Sequence, residues 1–232
     1  MNVSRRLCVS LAAVAVVIVT GAAAVVAEDA ETPSQAGEKV GVEGQFVRVA
    51  ENDEGWVVLG YRTANESVGK DWMLIDIGLT VQHGVSDQTL TRDDITLVTP
   101  DLKVVPLPTQ SEYEDAARSL RALNTRASMQ SESINYFPPD ARIPCRIGFF
   151  ADSTQPGRTM AFDKVDLNSQ RACVGRVYFQ VPGGIQFGLY NVDVKFANST
   201  IRVPVKIMTT DEAKAFEKRW KEAQKEAERA GK

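Results

Sequence analysis

Histidine is almost absent from this 232-residue chain, with His83 the single example. That scarcity excludes imidazole clusters, whether as zinc ligands or as paired catalytic bases. His83 follows an apolar run and precedes Gly84, and without an orienting partner it reads as a solvated turn residue. Familiar catalytic spacings are missing too: no Gly-x-Ser-x-Gly elbow, no glycine-rich phosphate loop after a strand, no His-Glu-x-x-His. Lys and Arg gather nowhere outside the last helix, which argues against a nucleic-acid partner, since displacing counterions takes clustered cations. Acids are plentiful but lack the Asp-x-Asp-x-Asp-Gly spacing of a calcium loop. Asp93 and Asp94 are adjacent instead. Neighbours on a strand point to opposite faces, so this pair introduces a strand and neither shares a proton nor clasps one ion. No catalytic, metal or cofactor residues are assigned, and the chain reads as non-enzymatic.

Cysteine is scarce as well. Of three, Cys8 lies in the N-terminal apolar stretch, which leaves Cys145 and Cys173. In an oxidising compartment that even pair is expected to form a disulfide. The compartment follows from the N-terminus. Arg5 and Arg6 precede an uncharged run from Leu7 to Ala27 that closes on small residues, as an export signal does, with cleavage after Ala27 or Ala24. The run is also long enough to span a bilayer, so residues 7–27 could stay as an anchor with the domain outside the cytoplasm. Membrane attachment is expected only in that case. The expected location is periplasmic or secreted. Residues 1–27 hold two arginines and no acid, so the remainder carries 25 basic against 30 acidic residues, a net −5.

What is present is period-two alternation. Residues 28–44 are acidic, small and poor in anything to bury, and read as a flexible leader. From Gln45 the runs FVRVA, WVVLGYR and WMLIDIGLTV are separated by polar turns. In the third, Met73, Ile75, Ile77, Leu79 and Val81 mark a buried face, and Asp76, Gly78, Thr80 and Gln82 a mixed one. ITLVT and LKVVPL flank the turn dipeptide Pro100-Asp101 and form a hairpin. A helical insert over 111–124 follows, with Ser111 and Glu114 as a capping box and Tyr113, Ala116, Ala117, Leu120 and Leu123 at helical spacing. The segment 124–133 reads as a polar loop. Tyr136 and Phe137 precede a double proline that stiffens the chain, and are expected to plug one end of the fold near the disulfide. After Cys145 come RIGFF, CVGRVYFQVP, FGLYNVDVKF and TIRVPVKI, with a turn at Gly183-Gly184. In the last run Pro204 and the outward Arg202 and Lys206 mark an edge strand. Residues 209–232 form a charged helix capped by Thr209 and Glu212, with Phe216 and Trp220 in a narrow apolar stripe.

About eight short strands, a disulfide and one helical insert over 45–208 describe a mainly β, immunoglobulin-like antiparallel sandwich, with a β-barrel as the alternative. Two segments add a resemblance. Ile95, Leu97, Val98, Asp101 and Lys103, with Leu102 in place of a usual glycine, and later Gly175, Val177, Phe179, Val181 and Pro182, resemble the telokin-like immunoglobulin-fold domains of exported bacterial proteins. That family is mostly of unknown function, and the resemblance implies a binding or accessory role with no catalytic residues. The expected function is an exported binding or structural module acting on an envelope or extracellular protein, with Phe216, Trp220, Tyr136 and Phe137 as candidate contacts. A glycan hydrolase would need two acids about 5 to 10 Å apart in a pocket. A carrier of a small apolar ligand would need an apolar cavity of roughly 300 Å³ or more.

Overall fold

The computed structural model describes residues 37–151 and 160–230. The expected export segment with Cys8, and the expected leader up to Ala36, lie outside the described residues.

Strands β1 (Lys39–Gly44), β2 (Val47–Glu51), β3 (Gly55–Gly60) and β4 (Trp72–Val81) run as an antiparallel meander. The leader therefore ends sooner than composition suggested. Val40 and Val42 alternate with polar or small residues, and β2 offers them a ladder that composition alone cannot reveal. The β2–β3 turn closes because the Asn52 side-chain oxygen accepts the amides of Glu54 and Gly55, each at 2.9 Å. Between β3 and β4 the expected polar turn contains a single helical turn, α1 (Arg62–Asn65). Then β5 (Gln88–Thr91), β6 (Ile95–Val98) and β7 (Val104–Pro106) precede helices α2 (Gln110–Asp115) and α3 (Ala117–Gln130). The remaining strands are β8 (Ile143–Ile147), β9 (Lys164–Leu167), β10 (Arg171–Gln180), β11 (Gly188–Lys195) and β12 (Thr200–Ile207), followed by α4 (Thr210–Ala230).

Two sheets carry the fold, ordered β1-β2-β3-β4-β10-β8 and β12-β11-β6-β7, with β5 and β9 as a separate ribbon. All pairings are antiparallel except β8 on β10. This is a mainly β sandwich without a closed barrel. Its core is the seam between the sheets. Val57, Leu59, Ile75, Ile77, Leu79, Val177 and Phe179 come from one side, and Ile95, Leu97, Val192, Val194, Ile201, Val203 and Val205 from the other, all buried. The second set shares one face by register, since Val192 pairs with both Val203 and Leu97. Strand β12 is an edge strand as read from Pro204, and on its outer face Arg202 grips Asp193 through two bonds of 2.8 and 2.6 Å.

The helical insert is longer than 111–124, and its cap is different. Thr109, not Ser111, is the N-cap. Its hydroxyl accepts the Glu112 amide at 3.2 Å, and the Glu112 carboxylate accepts the Thr109 amide at 2.7 Å. Both residue pairs fit the capping spacing. The helix begins at Gln110, which places Ser111 inside its first turn and leaves Thr109 at the cap. A break at Ala116 then separates α2 from α3, and α3 consumes most of the stretch read as polar loop, as far as Gln130, burying Leu120, Leu123, Asn124 and Ala127. Helix α3 and residues 134–137 cover the outer face of the six-stranded sheet, so β4 is buried on both faces rather than one. Tyr136 and Phe137 accordingly do not plug an end beside the disulfide. The tip of the Phe137 ring reaches Gly78, where an added Cβ would come to 2.7 Å from Cζ. Tyr136 joins Ile134 against Val47, Val49 and Val58, and its carbonyl accepts the Trp56 indole N–H at 2.8 Å.

Candidate binding site beneath the C-terminal helix

The sandwich is open on the side where edge strand β12 faces β1 and β2, and α4 closes that side. The Asn65 side-chain oxygen accepts the Met208 amide at 2.6 Å, which fixes where β12 stops. The Thr209–Glu212 capping box then starts the helix as the sequence predicts, with amide and hydroxyl bonds of 2.8 and 3.3 Å. Gln45 donates to the Ala213 carbonyl at 2.7 Å and ties the first turn to the β1–β2 bend. Phe216 is 8% exposed and belongs to the main core, with Ala213 and the half-buried Trp220 packed beside it. The Phe216 and Trp220 rings stack at 6.2 Å. The apolar stripe is thus used first on the chain's own sandwich.

Arg48 is the unusual residue here. It points from β2 into the fold between the buried Phe46 and Ala50 and is itself 8% exposed. Its guanidinium sits between two rings, 5.3 Å from the centre of Tyr61 and 5.6 Å from that of Phe216. One terminal nitrogen, Nη1, donates to the carbonyls of Val47 at 2.9 Å and Gly44 at 3.0 Å. Among the described residues no carboxylate pairs with it. Burial holds its pKa below the ordinary 12.5, and the Tyr61 hydroxyl pulls the other way. Burial likewise pushes Tyr61 up to about 12, with Arg48 opposing. A guanidinium stays charged throughout the accessible pH range, so the fold carries a buried cation.

Beside Arg48 lies a pocket of about 270 Å³ between α4 and the sheet edges. Its apolar wall comes from Val42, Leu189, Pro204, Met208, Ala215 and Phe216, and its charged wall from Arg48, Lys206, Arg219 and Glu212. Glu212 is already committed: one oxygen caps Thr209 and the other faces Lys206 at 3.3 Å. The amide and hydroxyl of Thr209, with Lys206 behind them, hold its carboxyl below the usual range. Lys206 and Glu212 thus answer each other, and Arg48 is the buried cation of this wall.

Compared with known proteins, the chain matches no family model, no curated protein and no solved structure.

A second, more open depression of about 400 Å³ lies over Val174–Arg176, under residues 131–135. It holds two acids, Asp76 and Glu132. Asp76 accepts from Arg176 at 3.2 Å, and Glu132 is paired with Arg62. Burial raises the Asp76 pKa, and the Arg176 charge works against it. Each acid has an arginine of its own.

The other residues singled out from the sequence are dispersed. His83 is 85% exposed at its side chain, 3.5 Å from Asp140, and precedes a left-handed Gly84. Asp93 and Asp94 stand in a short 3-10 turn, where Asp94 accepts the Thr91 amide at 2.7 Å. Cys145 and Cys173 are bridged, each on one of the paired strands β8 and β10. Among the described residues no group of three potential ligands could hold a metal, and no helix is long and apolar enough to cross a membrane. Arg48 was missed by sequence reasoning, although one signal was there: a cation at the middle of Phe46-x-Arg48-x-Ala50, on the apolar phase of a strand.

Proposed function

We propose that this chain is an exported, non-enzymatic binding module of the cell envelope that takes a small ligand into the pocket beneath α4. Export is supported by the N-terminal apolar run and by a disulfide, which persists in oxidising compartments. The single observation carrying the binding role is Arg48, a buried cation without a carboxylate partner among the described residues, at the wall of a largely apolar pocket. Buried charges are ordinarily paired, so a site that keeps one unpaired is built for a ligand that brings the opposite charge. Docking of α4 on its own domain withdraws Phe216 from the surface available to a protein partner and shifts the emphasis towards a small ligand. The acids Asp76 and Glu132 favour binding over hydrolysis, since both are engaged by arginines rather than facing an open position between them. The fold belongs with the telokin-like resemblance as an expectation of the same kind, an accessory module without catalytic residues.

The test is native mass spectrometry of the natively purified protein. A small-molecule adduct that disappears on unfolding is expected. Co-purification of a protein partner with no adduct would replace this reading by one of protein recognition.

A further inference from the structure

We infer that the ligand of the α4 pocket is a small organic acid with a short hydrocarbon body, its oxyanion bound by Arg48; this rests on the reading of that pocket as a binding site. Three observations select the class. Arg48 has its Nη1 end occupied by neutral carbonyls only, and the rings of Tyr61 and Phe216 flank the guanidinium plane's surroundings without supplying a countercharge. An oxyanion completes that arrangement with a charge-assisted bond, for which a guanidinium is the best-suited donor. The walls opposite are hydrocarbon, from Val42, Leu189, Pro204, Met208 and Phe216, so the body of the ligand is apolar. The volume, about 270 Å³, falls just below the roughly 300–1,000 Å³ of small-molecule sites, which points to a short ligand rather than a peptide or a long lipid chain.

Octanoate, octanol and octylamine share a chain and differ in head-group charge, so titrating each into the full-length protein isolates the contribution of Arg48. Trp220, stacked on Phe216, reports the occupancy by its fluorescence, and a Trp220→Phe variant identifies its signal among the three tryptophans. The expected result is saturable octanoate binding at least tenfold tighter than octanol, with none for octylamine. In Arg48→Met the acid loses its advantage over the alcohol. Because that change touches the core, Ala215→Leu serves beside it: Ala215 is exposed on α4 and lines the pocket, so leucine fills the space and weakens octanoate binding while the circular dichroism stays native. Octanol binding as tightly as octanoate overturns the acid assignment and leaves the pocket reading intact. Failure of all three to bind the folded protein overturns both.

Discussion

Glu54, at the turn before β3, gathers loops from all three sheets around one buried carboxylate. It accepts the Ser199 hydroxyl at 2.6 Å, the Gln88 amide group at 2.8 Å, and the Asn198 backbone and side-chain N–H groups at 3.1 Å. Burial raises its pKa, but these bonds, led by the one from Ser199, lower it more, and the net position is below the ordinary 4.5. A carboxyl depressed in the folded state contributes stability that is present above about pH 4.5 and lost as the pH falls through the folded value. Glu54→Gln sets a donor among donors and should cost about 2 kcal/mol at pH 7, with a flatter loss of stability below pH 4.5 than the parent. Urea denaturation at pH 7 and across pH 5 to 3 checks both; an unchanged acid slope would show that Glu54 does not govern it. Leu102 illustrates a different residue-scale outcome. The sequence placed a tight turn at Pro100-Asp101, and the turn is there, closed by Leu102 N to Thr99 O and Thr99 N to Lys103 O, both 2.9 Å. Its third position needs a left-handed backbone, and Leu102 adopts φ 63° while 81% exposed. That a leucine stands where a glycine would be unstrained was legible; nothing in the described structure explains it.

Helix α4 divides along its length. Its first three turns are anchored by the Thr209 cap, Gln45 and Phe216, whereas Lys225, Glu226, Ala227 and Arg229 are exposed. Phe216→Ala should destabilise by about 3 to 4 kcal/mol, as removal of a buried aromatic does, and should also free Trp220 from its stacking partner. Truncation after Gln224 should change stability by less than about 0.5 kcal/mol. Thermal or urea unfolding followed at Trp220 separates the two; equal losses would mean the distal turns contribute to docking. The stripe of Phe216 and Trp220 was readable from helical spacing, because that depends only on the local period. Which surface it meets was not, because Arg48 and Tyr61 lie more than 150 residues earlier in the chain.

The Cys145–Cys173 bridge joins neighbouring strands at the margin of the larger sheet and closes a loop with a sequence separation of 28. In the chain-entropy account such a loop stabilises by about 3 to 4 kcal/mol, mostly by restricting the unfolded chain. Reduction, or a double serine variant, should lower the unfolding free energy by that amount while leaving the strand signature of the circular dichroism in place. A change under 1 kcal/mol would mean that β8 is held by its ladder to β10 alone.

Local rules fixed a good part of this molecule in advance. Alternation marked most strands of both sheets, though not β1, and it set β8 too late, at Arg146–Phe150 instead of Ile143–Ile147; proline and outward cations marked β12 as an edge, Pro100-Asp101 and Gly183-Gly184 marked turns, and an even cysteine pair marked the bridge. Each depends on near neighbours or on a count. Tertiary structure decided the rest: that Lys39–Gly44 is a strand, that α3 and Phe137 cover the outer face of β4, and that Arg48 meets Phe216 at a pocket. Those outcomes require pieces of chain far apart to be brought into contact, and burial, pairing and charge balance come into being only with that contact.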